Sequence, residues 1–504
     1  MLSQLKTRWE EQPLSLILFV AIFFRTLAVL FSKGYGMHDD HFLVIESAQS
    51  WVDNFDYNYW LPSSSAQPSG HSWFYCGVHY FIFKGLQGIG ISDPQIKMYI
   101  IRLLHAALSL ITVVLGYRIA ETTGGKNTAR TVGILLATFW FMPFLSVRNL
   151  VEVACVPFLV IPTWMLLRQD KTTLLSYLIA GLIAGIAFSI RFQSILFIGG
   201  LGLALLIQKK WKEGILFGIG AVVCMALVQG VIDQIIWGKP FMEFQEYVNY
   251  NIANSRQYLV QQWYMYFALL GGILLPPISI FLVFGFFRSW KKHLVLFLPS
   301  FVFLVFHCYF PGKQERFIFP IIPFVIILGM IGWNNFISTS TFWNNRKKLL
   351  RACWIFFWCL NLLPLLIVST AYSKRSRVES MVYLSTKADF KRLVVEESFR
   401  NDYTMPPFFY LGKWYRGGYV DGVTATYTID SLCTRIHRYP EFTPNYVIFF
   451  DEENLDNRVK NFKTCFPGLK YEATIEPGFI DKFIYWLNPI NRNYTAYIYR
   501  IEQN

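Results

Sequence analysis

Asp39 and Asp40 stand side by side, flanked by His38 and His41, where the first long apolar run ends. Two adjacent carboxylates repel, so one holds its proton longer than an isolated aspartate does. Such a pair is equipped to act as a general base or to hold a cation. Ionisable groups near lipid are costly and usually face a cavity, pair, or do chemistry. The plain alternative is a solvated loop at the membrane surface. A second group of residues is basic. Arg148, Arg191, Lys313 and Arg316 lie in short turns between apolar runs, the last two in one turn. A binding site for an anionic group would explain them, and snorkelling at the interface is the plain alternative.

The elements that must position these residues are membrane spans. The chain has 504 residues, of which 54% are hydrophobic and only 15% charged, against about 25% charged in soluble domains. Residues 14–32 are long enough and apolar enough to cross a bilayer. This run reads as a retained span, because it is long and no small-residue cleavage site follows it. About eleven spans are expected between residues 14 and 372, at ~20 residues each. The net charge of +14 sits mostly in loops between apolar blocks. That distribution fits the positive-inside rule and gives no reason to invoke nucleic acid. It puts the N-terminus in the cytoplasm, with the aspartate pair and the four cations on the opposite face.

The loop 33–97 is polar and aromatic, with Trp51, Trp60, Trp73, His71 and His79. Its apolar piece 78–86 is too short to span and is expected to lie at the interface. The transmembrane domain is therefore drawn as 1–372, including this loop. Residues 373–504 form a separate extracytoplasmic α/β domain. Its expected strands are Tyr446–Phe450, Tyr471–Ile475 and Tyr494–Ile501, with a helix over Glu453–Phe466. No phosphate-binding glycine loop follows a strand. An enzyme on this face would then need an activated substrate delivered through the membrane. The eight cysteines have no metal-ligand spacing, and most read as small hydrophobes. Cys433 and Cys465 fit a disulfide and two free thiols equally well. Asn493-Tyr494-Thr495 fits a glycosylation sequon but falls in an expected strand.

Several stretches taken in order resemble a known family. Phe24-Arg25 through His38-Asp39-Asp40 is similar to the first span and His-Pro-Asp-Glu motif of the dolichyl-phosphate-mannose-dependent α-mannosyltransferases of N-glycan and GPI-anchor assembly. Arg102-Leu103-Leu104 opens the second span as in that family. Val147-Arg148-Asn149-Leu150-Val151-Glu152 resembles its Arg-Thr-x-x-Asn-x-x-Glu turn, and Arg191 stands at its Arg-Pro-Thr position. Ile232-Asp233 through Gly238, followed by Asn249-Tyr250-Asn251, resembles its Asp-Arg-x-x-Tyr-Gly and Asn-Phe pattern. Trp263 to Tyr266 matches its Trp-His-Trp-Tyr position. Pro311-Gly312-Lys313-Gln314-Glu315-Arg316-Phe317 through Pro320 resembles its His-Lys-Glu-x-Arg-Phe-x-x-Pro motif. The order and spacing hold over residues 14–330.

The resemblance implies a GT-C fold and inverting transfer of a hexose, mannose by analogy. The donor would be a polyprenyl- or dolichyl-phosphate sugar and the acceptor a glycan or glycolipid, with membrane lipid around them and no cofactor or metal. It assigns Asp39 as general base with Asp40 beside it. Arg148, Arg191, Lys313 and Arg316 would hold the donor phosphate, and His38, His41, Glu152 and Glu315 would bind substrate. The departures are His38 for Pro, Asp40 for Glu, Met37 for the motif His, Gly312 for His and Gln314 for Glu. They point to a distant branch, expected in a bacterial inner membrane, with the endoplasmic reticulum as the alternative. A transporter or flippase of a lipid-linked or anionic solute is the rival class. It would place its charges at mid-membrane, often within an inverted repeat. No such repeat is visible, and the charges gather on one face. Protein O-mannosyltransferases and aminoarabinose transferases also carry an acid in the first outer loop. The 311–320 motif argues against both.

Overall fold

In lipid no water pairs a bare backbone amide, so long apolar runs fold as helices. The computed structural model describes residues 2–62, 67–168, 173–257, 259–399, 404–416, 418–421 and 428–502. Among these, five helices are long and apolar enough to cross a membrane: Pro13–Phe31, Pro94–Thr138, Trp211–Trp237, Glu315–Thr339 and Lys347–Ser369. Five shorter apolar helices join them: Val151–Leu167, Leu174–Ile190, Ser194–Ile207, Ile278–Arg288 and Leu294–Tyr309. The 45-residue helix Pro94–Thr138 is two spans in one. Gly125, at φ 80°, breaks it where the sequence puts a basic loop. The expected span 263–287 is also interrupted, as Met265–Ile273 and Ile278–Arg288. Pro276 and Pro277 lie between them and have no N–H to continue a helix.

The chain forms two compact units. One comprises residues 1–31, 58–82 and 99–370; the other comprises 32–57, 83–98 and 371–504. The expected outer loop is thus divided by its packing, more finely than a boundary at 372/373. Both oxygens of Glu46 accept the Phe409 N–H at 3.1 Å. The rings of Phe83 and Phe409 are 5.6 Å apart, and Gly34 pairs with Ser373 in a parallel bridge.

Within the helical unit, charged and polar groups find partners inside the protein. Arg25, in the first span, donates to Ser109 Oγ at 2.7 Å and to Ala137 O at 3.3 Å. Asn361 donates to Thr138 O at 2.7 Å and accepts the Trp140 N–H at 3.0 Å, closing the end of a helix. Small residues let backbones touch, as is usual where lipid removes the hydrophobic drive between helices. A methyl group on Gly285 would meet the carbonyl oxygen of Gly329 in the facing helix, whereas one on Gly199 would meet nothing.

The second unit carries a five-stranded sheet. Its strands are β1 (Leu393–Glu397), β2 (Tyr419–Asp421), β3 (Tyr446–Phe450), β4 (Leu469–Ile475) and β5 (Ala496–Ile501). The order is β2-β1-β3-β5-β4. The β1 pairings are parallel and the β5 pairings antiparallel. Strand β3 has the expected bounds, and helix Leu455–Cys465 falls within the expected one. Cys433 and Cys465 are paired. Asn493 of the sequon is buried. It donates to Asp481 O at 3.0 Å and accepts from Lys374 Nζ at 2.8 Å, so no glycan fits on it.

Gly285→Val should lower the melting temperature in detergent by the equivalent of about 1–3 kcal/mol of overpacking. Gly199→Ala should leave it nearly unchanged. Thermal unfolding of the two purified variants checks this.

Candidate functional site

The aspartate pair is set by a short turn in the second unit. Met37 is extended (φ −132°, ψ 166°), and His38–His41 forms one helical turn. The first amides of a helix have no partner within it, so a nearby carboxylate is drawn to them. Asp40 fills this role. It is buried and accepts from Gly36 N at 2.9 Å and Met37 N at 3.2 Å. Asp39 is half-buried and His38 is exposed. The His38 ring stacks on Phe42, with centroids 4.7 Å apart.

His41, expected at the substrate, is instead enclosed. Its ring stacks between Tyr35 at 4.9 Å and Tyr410 at 5.5 Å. Its Nε2 lies 3.0 Å from Glu46 Oε1, with both side chains buried. The sequence reading passed over Glu46. The available signal was a single acid directly after the apolar run Phe42–Ile45, five residues from a histidine. Burial raises the Glu46 carboxyl above its usual range, and His41 and the Phe409 N–H oppose that rise. Lys374 belongs to the same unit. Burial lowers its ammonium to about 7, Arg377 adds to the lowering, and Asp481 and Asp40 act against it.

The cations belong to the helical unit. Arg191 caps helix Leu174–Ile190 in an extended conformation, its N–H bonded to Ala187 O at 2.9 Å. Its guanidinium pairs with Glu152 Oε1. Arg316 Nε is 3.7 Å from the same oxygen and 2.7 Å from Gln314 Oε1. The Phe317 ring lies 5.6 Å from each guanidinium. Glu152, expected to bind substrate, is therefore a clasp between two buried arginines. One acid against two guanidiniums leaves the cluster at +1. Among the described residues, Glu152 Oε2 and Arg191 Nε are buried without a hydrogen-bond partner. Burial raises the nearby Tyr247 hydroxyl to about 12, and Arg191, Glu152 and Arg316 are among the charges acting on it.

Lys313 is buried, and its Nζ donates to Phe310 O. Burial lowers its ammonium. A bridge between Val260 and Gly312 pins its turn, and Tyr266 donates to Gln314 O at 3.1 Å. Arg148 lies 4.2 Å over the Phe144 ring. It lines a cavity of about 50 Å³ with Arg25, His105, Ser109 and Ser146. Glu315 is exposed at the start of the turn Glu315–Ile321. The described structure thus joins Arg191, Arg316 and Glu152. Lys313 lies over the Tyr266 ring at 6.0 Å, and Arg148 lines the separate small cavity.

Glu243 also escaped the sequence reading. It is buried and accepts from Gly70 N at 2.6 Å, Ser69 Oγ at 3.0 Å, His71 N at 3.3 Å, Trp73 Nε1 at 3.1 Å and Trp237 Nε1 at 2.9 Å. Asp233 accepts the Glu243 N–H at 3.1 Å and so holds the clamp. Trp237 is local, but nothing in the sequence around Glu243 announces the other four donors, some 170 residues away.

Apolar helices joined to a small α/β sheet define an integral membrane protein of GT-C fold. The backbone is similar to that of ArnT from Cupriavidus metallidurans bound to undecaprenyl phosphate, with TM-score 0.61, 12% identity, and coverage of 96% of this chain and 97% of that one. It is also similar to the apo oligosaccharyltransferase of Archaeoglobus fulgidus, with TM-score 0.52, 10% identity, and coverage of 93% and 74%. At these identities the likeness speaks for the fold alone. Residues 16–416 match the Alg9-like mannosyltransferase family, and the chain belongs to it. Human GPI alpha-1,2-mannosyltransferase 3 is 21% identical over 317 residues, 62% of this chain and 56% of the human protein. Mannosyltransferase APTG1 of Arabidopsis thaliana is 22% identical over 393 residues, 72% and 69% of the two chains. The chain thus spans little more than half the length of the human relative.

Asp40→Ala strips the cap from Gly36 and Met37 and should cost about 1 kcal/mol. The half-buried Asp39→Asn should lower the melting temperature less. A second expectation concerns pH. With its folded-state pKa lowered to about 7, Lys374 binds fewer protons than it does unfolded between pH 7 and its ordinary value of 10.5. Stability should rise with pH through that window. Lys374→Met should flatten the rise when melting temperatures are compared at pH 7.5 and 9.5.

Proposed function

We propose that this chain is an inverting mannosyltransferase that uses a polyprenyl-phosphate mannose donor and a glycan or glycolipid acceptor. The observation that carries the reading is the Arg191–Glu152–Arg316 cluster, buried and net positive, with the donor Arg191 Nε left without a hydrogen-bond partner among the described residues. Family membership supports the sugar, and ArnT, with a similar fold, has been seen with undecaprenyl phosphate.

In the proposed reaction the acceptor oxygen attacks the anomeric carbon of mannose. The bond from that carbon to the phosphate oxygen breaks, and its electron pair leaves with the polyprenyl phosphate. The acceptor proton passes to Asp39. A hydroxyl is a poor nucleophile, so it needs such a base within hydrogen-bond reach. Asp40 is buried and bonded to backbone amides, and Asp39, half-buried beside it at the motif position, is the proposed base. Negative charge grows on the departing phosphate, and preorganised guanidiniums stabilise it. Arg191 and Arg316 take that role, with Arg148 and Lys313 as further donor contacts. His38, exposed beside Asp39, is the histidine assigned to the acceptor, and Glu315 is the exposed acid assigned to substrate. The paired Cys433 and Cys465 support an oxidising, extracytoplasmic compartment for the C-terminal domain. The N-terminus would then be cytoplasmic, in a bacterial inner membrane or the endoplasmic reticulum.

Asp39→Asn should lower turnover about a hundred- to ten-thousand-fold, the span usual for a lost general base. Donor binding should persist. Near-normal turnover in this variant would remove Asp39 from the mechanism. Arg316→Ala should weaken donor binding at least about tenfold, as expected for a lost charge-assisted hydrogen bond. Unchanged affinity for polyprenyl-phosphate mannose would refute a phosphate role.

A further inference from the structure

The C-terminal unit contains a helix whose polarity is inverted. A surface helix of a soluble domain normally turns its apolar stripe inward. Helix Phe479–Leu487 and the turn Pro489–Asn491 do the reverse. Phe479 is 82% exposed, Trp486 75%, Leu487 61% and Ile490 78%. Phe483 lies on the same side, its ring 6.0 Å from that of Trp486.

The buried side of the helix is held by polar contacts. Asp481 is buried and accepts from Lys374 N at 3.1 Å and Arg375 N at 2.9 Å. Its main-chain oxygen accepts from Asn493 Nδ2 at 3.0 Å. Tyr485 packs edge-on against Tyr494 at 5.3 Å. The helix is therefore fixed firmly to its own domain while its aromatic face is left outside.

The chain itself says what covers that face. Lys374 and Arg375 come five and six residues after Ser369, the end of the apolar helix Lys347–Ser369. At no more than ~3.6 Å per residue, the points that hold Asp481 stay within about 20 Å of where the chain leaves the bilayer. Large aromatics with no acid turned outward among them are what the headgroup boundary accepts. We propose that Phe479, Phe483, Trp486, Leu487 and Ile490 are immersed in the lipid leaflet facing this domain, as an in-plane anchor for the C-terminal unit.

The test uses the full-length protein in vesicles of phosphatidylcholine and phosphatidylglycerol. Cys353→Ser and Cys359→Ser first remove the native free thiols that are not buried. A nitroxide is then placed by Phe479→Cys, Trp486→Cys or Ile490→Cys, and by Lys470→Cys on strand β4 as an aqueous control. Lys470 suits this control because its side chain is 66% exposed. Collision rates are measured with oxygen and with a water-soluble nickel chelate. The proposal expects an oxygen-to-nickel ratio several times higher at 479, 486 and 490 than at 470, with depths of roughly 5–10 Å. Nickel-dominated collisions at all four sites would place the face in water and overturn the proposal. Exclusion of both reagents at 479, 486 and 490 would overturn it too, by showing a protein there, a second copy or another partner.

Discussion

Charge removed from water must be answered within the protein, and this constraint governs the structure. Glu152 is the clearest case. Two guanidiniums buried among apolar helices would be prohibitive alone, since an uncompensated buried ion costs several kcal/mol. One carboxylate between them makes the cluster tolerable while leaving it net positive. That residual charge is what an anionic ligand would meet. A second acid at this place would stabilise the arginines further and quench their attraction for a phosphate.

The same rule recurs through both units. Arg25 is answered by a hydroxyl and two carbonyls. Glu46 gathers His41 and the Phe409 amide, tying residues near the first span to the sheet-bearing residues. Glu396 meets Arg458 at 2.7 Å in the interior of the C-terminal unit. Glu243 collects five donors in one place. Each of these acids fixes backbone as well as side chains, so the turns with the candidate chemistry are held by charge as much as by packing.

What could be read from the sequence follows from how local its cause is. Apolar runs of sufficient length announce spans, because the bilayer sets the length. Strand β3 was legible because Tyr446–Phe450 is a short, wholly apolar run. Strand β1 was not, because Glu396 and Glu397 interrupt its pattern and the arginine answering Glu396 lies 62 residues further on. Motif order singled out Asp39, Arg191 and Arg316, but not the groups that each of them meets in the fold. The two aspartates differ in burial, and Asp40 is the one that accepts from the Gly36 and Met37 amides. The sequence marked His41 and Glu152 as ligands for substrate but did not show their partners in the fold, Glu46 in one case and two arginines in the other. Partners fixed by the fold, near in sequence for His41 and remote for Glu152, set the surroundings of each polar residue.

The central claim is transfer of a sugar from a lipid phosphate. It is tested most directly by giving the purified protein radiolabelled mannose on synthetic polyprenyl phosphate, with glycans and glycolipids extracted from its host. The account predicts that label moves to one acceptor class and that free polyprenyl phosphate appears in equal amount. Absence of transfer from any polyprenyl-phosphate sugar, together with solute flux when the protein is reconstituted in liposomes, would contradict it.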